Sequence, residues 1–170
     1  MTTIRTVAII GAGQMGAGIA QAVAAGGYAV RLFDAAADRP QRAVATIAAS
    51  LARLVERDLT TQAEADAVLG RITIVTGLAE VGAADLVIEA AVEEEAVKKA
   101  IFTELTPHLA AHTLLASNTS SISITRLAAA SDRPDRFIGV HFMKPAPVMK
   151  LVEIIRGIAT SADTYAIAVA

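Results

Sequence analysis

The sequence predicts an α/β fold in which helices cover both faces of a doubly wound, mostly parallel sheet. Two observations lead to this fold class. Short β-branched runs alternate with segments whose apolar residues recur at helical spacing, an order typical of parallel strands joined by helices. Near the C-terminus, residues 136–141 and 148–155 are strand-like runs separated by a short loop that contains prolines. A loop this short joins antiparallel strands, because a parallel pair needs a long crossover, so an antiparallel strand is expected there.

Apolar patterning and glycines define the elements in chain order. The predicted strands cover residues 7–10, 28–33, 72–75, 84–89 and 113–116, ahead of the antiparallel pair. The predicted helices cover residues 14–25, an apolar stripe over 44–55, residues 60–69, 93–109 and 124–128, and a segment that begins near Ser161. Glycines at 26, 27 and 70 end the first and third of these helices. In the helix over 93–109, the side chains expected to face inward are Val97, Ala100, Ile101, Phe102 and Leu105.

Composition predicts one domain and excludes several kinds of site. The chain has 170 residues, 54% of them hydrophobic, so we expect a single domain over 1–170 with a substantial core. A net charge of −2 with interspersed signs predicts neither a nucleic-acid partner nor a membrane contact. The absence of cysteine excludes disulfides and thiolate metal sites, and three scattered histidines predict no metal centre. A cytoplasmic location is expected.

The first strand leads directly into Gly11-Ala12-Gly13-Gln14-Met15-Gly16, which opens the first helix. In this strand-to-helix context, a G-x-G-x-x-G motif is typical of Rossmann-type folds that bind a dinucleotide. Glycine allows a tight turn and close approach of backbone N–H groups to a pyrophosphate, and the helix N-terminus favours the phosphate charge. The alternative is an ordinary strand-turn-helix unit without a nucleotide.

Asp34 closes the second predicted strand. Its carboxylate would accept hydrogen bonds from the adenosine ribose hydroxyls and would repel a 2′-phosphate, so NAD is the predicted cofactor in preference to NADP. Arg39, five residues later, weakens this preference, because an arginine near this position accommodates such a phosphate.

Polar side chains follow three strands at their carboxyl ends, where ligands of such sheets bind. They are residues 89–93, residues 117–121 and His141. Ser121 or Ser123 can cap the short helix over 124–128, an interpretation that needs no ligand. Asn118 and Ser120 remain available for a ligand.

His141 is the candidate for proton transfer, because a neutral imidazole accepts a hydroxyl proton near pH 7. If the last two strands pair about a centre at Pro147, His141 and Glu153 face each other with their Cβ atoms about 5 Å apart. Glu153 would share an apolar face with Met149, Leu151 and Ile155, where an unpaired carboxylate is costly. The alternative is an exposed glutamate and a lone histidine, because a one-residue slip in register turns Glu153 to the other face.

This pair predicts hydride transfer to the nicotinamide. His141 would remove the proton from a substrate hydroxyl while Glu153 orients the ring and stabilises its positive charge. Ser120 would hold the same hydroxyl oxygen.

Four segments, residues 11–16, 85–90, 117–121 and 139–153, closely resemble the L-3-hydroxyacyl-CoA dehydrogenases, a family that includes bacterial 3-hydroxybutyryl-CoA dehydrogenases. The resemblance extends over essentially the whole chain. The Ser117-Asn118-Thr119-Ser120-Ser121 run, together with the histidine and proline segment, is specific to this family. The resemblance implies NAD-dependent oxidation of an L-3-hydroxyacyl-CoA to a 3-oxoacyl-CoA, in fatty-acid β-oxidation or hydroxybutyrate metabolism.

Carried over position by position, the resemblance makes His141 the catalytic base, Glu153 its partner and Ser120 a ligand of the reacting oxygen. The residues that it assigns to NAD are Gly11, Gly13, Gln14, Met15, Gly16, Asp34, Ala90, Glu93, Lys98, Asn118, Ser120 and Lys144. Ser50 and Arg57 match positions that contact the coenzyme A part of the substrate, where a lysine is usual in place of Arg57. An exposed serine and arginine on a helix are an equally good interpretation.

Lys144 is a departure from the family, which has at this position an asparagine that contacts the nicotinamide and the substrate. A cation this close to the base disfavours a positively charged imidazole, so we expect Lys144 to impair turnover.

The family also continues into a C-terminal helical domain, which supplies a further catalytic asparagine, much of the acyl pocket and the dimer interface. That domain is absent from this sequence, which ends inside a predicted helix, so we expect a truncated NAD-binding domain. An apolar face should then be exposed, and a homo-oligomer is expected. A second hypothesis is a module that binds NAD without turning over an acyl-CoA.

Overall fold

The computed structural model describes residues 3–170. Within this range it contains seven strands and seven α-helices. The strands are β1 (Thr6–Ile10), β2 (Ala29–Phe33), β3 (Ile72–Ile74), β4 (Leu86–Glu89), β5 (Leu114–Ser117), β6 (Phe137–Phe142) and β7 (Val152–Arg156). The helices are α1 (Gln14–Ala25), α2 (Arg39–Glu56), α3 (Gln62–Gly70), α4 (Leu78–Gly82), α5 (Glu95–Leu105), α6 (Ile124–Ala128) and α7 (Ala162–Val169). No helix in this part of the chain is long and apolar enough to cross a membrane.

All seven strands form one sheet in the order β3-β2-β1-β4-β5-β6-β7. Every neighbouring pair is parallel except β6 and β7. The direction of winding reverses between β1 and β4, which is where doubly wound sheets bind their ligands. The predicted fold class and its antiparallel pair near the C-terminus are confirmed.

The central strands β1, β4 and β5 are buried on both faces, as parallel strands joined by helices require. Alternate residues of β1 enter different cores: Val7 and Ile9 pack with α1, α2 and α3, whereas Ala8 and Ile10 pack with α4, α5 and α6. Near-continuous apolar runs in β1, β4 and β5 follow from this two-sided burial.

The helix predicted over 93–109 is shorter than expected. It ends at Leu105, and residues 106–108 form a 3₁₀ turn, since Pro107 has no N–H to continue the α-helical bonding. The expectation that Ala100 faces inward is wrong, because it is exposed, whereas Lys98 is buried. Lys98, Phe102 and Leu105 recur at helical spacing and form the buried face of α5.

Other boundaries also differ from the prediction. β7 begins at Val152 rather than at residue 148, because the N–H groups of Val148 and Met149 both bond the Pro145 carbonyl at 3.0 Å in a turn. The sequence patterns do not predict α4, which has only five residues. The carboxylate of Glu80 holds its first turn by accepting the N–H groups of Thr76 and Gly77 at 3.2 Å.

Two glycines of the G-x-G-x-x-G motif are required by close packing. Gly11 has φ +103°, and a Cβ there would lie 2.6 Å from the Ala90 carbonyl oxygen, so its side chain would strike the loop after β4 rather than a ligand. A Cβ on Gly16 would collide with the Gly11 carbonyl at the end of β1. Gly16 thus lets α1 start directly on the end of the first strand.

Candidate active site

Two adjoining cavities open at the carboxyl ends of the strands. The first, of about 540 Å³, contains the G-x-G-x-x-G motif and is called the glycine-loop cavity; its lining includes Gly13, Asp34 and Arg39. The second, of about 270 Å³, is called the histidine cavity; its lining includes Ser120, His141 and Lys144. Both cavities share Met15, Ala90 and Ala91 along their border. The two predicted halves of the site therefore meet in one groove.

Gly13 differs from the other glycines of the motif because its missing side chain faces open space. A Cβ there would meet no atom within 4 Å. Gly13 directly precedes α1, and no side chain caps the backbone N–H groups of the first helical turn. These donors lie beside the glycine-loop cavity and can bind a phosphate group.

Asp34 lies at the end of β2 and lines the glycine-loop cavity. Its Oδ2 accepts the N–H of Ala12 at 2.8 Å and its Oδ1 accepts the N–H of Ala36 at 2.9 Å, so the carboxylate has a fixed orientation. The Arg39 guanidinium is 3.8 Å from Oδ2 and is largely exposed. A carboxylate and a cation thus lie together at the end of the cavity away from His141.

His141 and Glu153 are direct partners in the ladder between β6 and β7. The Nδ1 atom of His141 lies 2.8 Å from Oε2 of Glu153, so the register argument is confirmed. Since Nδ1 is engaged by the carboxylate, Nε2 is the ring nitrogen that remains for a ligand. The Glu153 side chain is 51% exposed, so the expectation that it lies on a buried apolar face is wrong. β7 is the edge strand, and the side chains of its Ile155 and of Met149 and Leu151 in the preceding loop are exposed as well.

Asn118 fixes the strand that carries the histidine. Its Oδ1 accepts the N–H of Phe142, the residue after His141, at 2.8 Å. The Asn118 side-chain nitrogen is the part of the amide that remains for a ligand.

Ser123, rather than Ser121, caps α6 by accepting the N–H of Arg126 at 3.3 Å.

Glu93 organises the serine-rich loop over 118–121. Its Oε1 accepts the N–H groups of Ser120 and Ser121 at 2.9 and 3.3 Å and also the hydroxyl of Thr119. Partial burial raises the pKa of this carboxyl, but the hydrogen bonds from the loop and the nearby Lys98 ammonium outweigh it and lower the pKa to about 2. The loop is therefore held by an ionised carboxylate at neutral pH.

Lys98 and Glu89 form a buried ion pair behind this loop, which the sequence analysis did not identify. The Lys98 Nζ lies 2.7 Å from Oε1 of Glu89 and 3.3 Å from Oε2 of Glu93. The side chains of Lys98 and Glu89 are 1% and 0% exposed. A sequence signal existed: an acidic residue closes a strand that is otherwise apolar, nine positions before a lysine.

Of the three remaining predicted site residues, one lines a cavity and two do not. Lys144 lines the histidine cavity and is exposed. Ser50 is half-buried on α2 and Arg57 is exposed just after it. Neither of these two lines the glycine-loop cavity or the histidine cavity. Their contact with coenzyme A stays a prediction.

A family model and several known proteins are similar to this chain. A family model described as the NAD-binding domain of 3-hydroxyacyl-CoA dehydrogenase covers residues 6–170. The 3-hydroxybutyryl-CoA dehydrogenase of Bradyrhizobium diazoefficiens is 52% identical over 162 residues, which are 95% of this chain and 55% of that protein. The 3-hydroxyadipyl-CoA dehydrogenase of Escherichia coli is 48% identical over 163 residues, 96% of this chain and 34% of that protein.

A solved structure shows the same arrangement of elements. The crystal structure of (S)-3-hydroxybutyryl-CoA dehydrogenase from Ralstonia eutropha superimposes with a TM-score of 0.93 at 48% identity, covering 96% of this chain and 58% of that one. The chain thus spans little more than half the length of these 3-hydroxybutyryl-CoA dehydrogenases. On the match of the family model over residues 6–170, the chain belongs to the family of NAD-binding domains of 3-hydroxyacyl-CoA dehydrogenases.

Proposed function

We propose that this chain, as one domain over 1–170, is the cofactor-binding part of an enzyme that oxidises an L-3-hydroxyacyl-CoA to a 3-oxoacyl-CoA. The observation that carries the proposal is the His141–Glu153 hydrogen bond in a cavity that adjoins the glycine-loop cavity. The names of the relatives support the acyl-CoA substrate and a role in fatty-acid or hydroxybutyrate metabolism. We propose the cytoplasm as its location.

The residues of the groove fit NAD. The open space at Gly13 leaves room for a pyrophosphate, and Asp34 lies where an adenosine ribose would end. When bound, NAD supplies the hydride acceptor. Met15, Ala90 and Ala91 line both cavities, so a dinucleotide that extends past them reaches the histidine cavity.

His141 would act as the base through Nε2. Because Nδ1 donates to the Glu153 carboxylate, the neutral ring carries its lone pair on Nε2 and can accept the substrate hydroxyl proton there. Glu153 stabilises the positive charge that the ring gains in this step. The Ser120 hydroxyl would hold the same substrate oxygen, since it lines the same cavity.

The proposal is tested by two measurements on the same protein. NADH formation from L-3-hydroxybutyryl-CoA reports turnover, and calorimetry reports NAD binding. Turnover with binding supports the dehydrogenase. Binding without turnover identifies a module that only holds NAD, and absence of binding contradicts both hypotheses.

We propose a homo-oligomer as the assembled state. Several large apolar side chains around β7 are exposed, among them Val148 at 71% and Ile158 at 89%. Apolar side chains grouped in this way favour association with another surface.

Asp34 is expected to set the choice between NAD and NADP. Asp34→Asn should weaken NAD binding about tenfold, because a neutral amide binds the ribose hydroxyls less strongly than a carboxylate does. The same change should strengthen NADP binding, since the repulsion of the 2′-phosphate is lost while Arg39 remains. Calorimetry with each cofactor measures both effects.

Asp38→Asn is the matched control, because Asp38 is exposed and pairs with Arg42. It should leave both affinities unchanged. An Asp34→Asn protein that keeps its original preference for NAD would contradict this assignment.

Lys144 is expected to slow turnover. Replacing it by asparagine removes a positive charge beside the position where His141 gains its own charge, worth about 1 kcal/mol in a solvated cavity. We therefore expect Lys144→Asn to raise kcat for L-3-hydroxybutyryl-CoA oxidation about fivefold. Lys150→Asn, a change at an exposed lysine outside both cavities, should leave kcat unaltered. Equal kcat values for wild type and Lys144→Asn would contradict the proposal that Lys144 slows turnover.

A further inference from the structure

A fully buried carboxylate lies directly behind the histidine cavity without lining it. Glu89 ends β4 and is 0% exposed. Its Oε1 accepts the Lys98 ammonium and the Ala91 N–H, both at 2.7 Å, and its Oε2 accepts the Ser117 hydroxyl at 2.6 Å. A carboxylate in such a place destabilises the fold unless it is paired. The proton transfer proposed for His141 makes no use of it.

Lys98 connects this buried carboxylate to a second one at the cavity. Its ammonium bonds Glu89 on one side and lies 3.3 Å from Glu93 on the other. The Lys98 side chain is 1% exposed, so the two carboxylates must stabilise its positive charge in place of water. If Glu89 lost its charge, Glu93 would be the remaining anion for Lys98. Glu93 would then be drawn toward the ammonium and away from the loop.

The serine-rich loop over 118–121 depends on both carboxylates. At its start, the Ser117 hydroxyl donates to Glu89 and accepts the Thr119 N–H at 3.3 Å. Further along, Glu93 Oε1 accepts the N–H groups of Ser120 and Ser121. The position of the Ser120 side chain in the histidine cavity therefore follows from the two anchors.

Glu89 also holds a residue at the border between the two cavities. The Ala91 N–H that it accepts belongs to the border between the two cavities, and the neighbouring Ala90 packs against Gly11. One buried carboxylate thus bonds the loop after β4 directly and, through Ser117, the start of the loop after β5.

We propose that Glu89 is a positioning residue, which acts through Lys98 and Glu93 to fix the loop that carries Ser120. Its effect on the reaction rests on the proposed function, in which Ser120 holds the reacting oxygen. Its effect on the loop does not depend on that function.

The test is Glu89→Gln, which keeps the size of the side chain and removes its charge. Amide hydrogen exchange should become about tenfold faster at Ser120 and Ser121, because the loop loses the hold of Glu93. With L-3-hydroxybutyryl-CoA as substrate, the kcat of Glu89→Gln should fall about tenfold. Its KM should change little, because Glu89 touches neither cavity. Glu95→Gln is the matched control: Glu95 is on the neighbouring helix, pairs with Lys99 and Arg126, and has no contact with the loop.

If Glu89→Gln does not fold, the double variant Glu89→Gln/Lys98→Met removes both buried charges together. It also removes the ammonium 3.3 Å from Glu93 that fixes this carboxylate, so exchange at Ser120 and Ser121 should again be faster than in wild type. Exchange at Ser120 and Ser121 equal to that of wild type would overturn the proposal. Faster exchange with unchanged kcat would overturn its consequence for the reaction. A protein that neither binds NAD nor turns over the substrate refutes the proposed function, yet the exchange measurement still decides whether Glu89 positions the loop.

Discussion

His141→Gln is expected to lower kcat for L-3-hydroxybutyryl-CoA oxidation about a thousandfold, because the base that accepts the hydroxyl proton is lost. The Kd of NAD should change little, since His141 does not line the glycine-loop cavity. Steady-state NADH formation measures the first quantity and calorimetry the second.

A matched histidine gives the control. His112 Nε2 lies 3.0 Å from Asp85 Oδ1 at the amino ends of the strands, on the opposite edge of the sheet from the cavities. His112→Gln should therefore leave kcat unchanged. A His141→Gln enzyme that retained more than about a tenth of wild-type kcat would contradict the role of His141 as base.

Gly16→Ala is expected to destabilise the fold by about 3 kcal/mol. A methyl group there would overlap the Gly11 carbonyl, which is backbone and cannot move aside without shifting the end of β1. Thermal unfolding followed by circular dichroism should show a much lower Tm or no cooperative transition.

Gly13→Ala separates binding from folding. The added methyl group would meet no protein atom within 4 Å, so the free energy of unfolding should stay within about 0.5 kcal/mol of wild type. NAD binding should weaken about tenfold, because the methyl group occupies space needed by the pyrophosphate. A Gly16→Ala protein as stable as Gly13→Ala would show that the close approach of α1 to β1 is dispensable.

Much of the fold was predictable because it depends on local patterns. Strand and helix periodicities, together with glycines 26, 27 and 70, located most elements to within a few residues. Errors arose where one proline or turn overrides a pattern. Pro107 shortens α5, and the turn at Pro145 delays the start of β7.

The candidate site likewise contains contacts that the sequence predicted and contacts that it did not. The His141–Glu153 contact was predicted on the assumption that the last two strands pair about Pro147, and the ladder has this register. The Glu89–Lys98 pair did not follow, because its partners come from β4 and α5 and nothing local indicates that a helical lysine is buried. The contact of Asn118 with Phe142 likewise joins two strands that are far apart in the sequence.

By itself the sequence determined the fold class, the order of most of the elements and the glycine motif, and it predicted the register of the last two strands. These depend on backbone conformation and on residues close together in the chain. Only the tertiary structure decided that Gly11 packs against Ala90, that Lys98 turns inward, and that Glu93 holds the serine loop. Burial and charge pairing are properties of side chains from different elements, and they exist only once the sheet and helices have packed together.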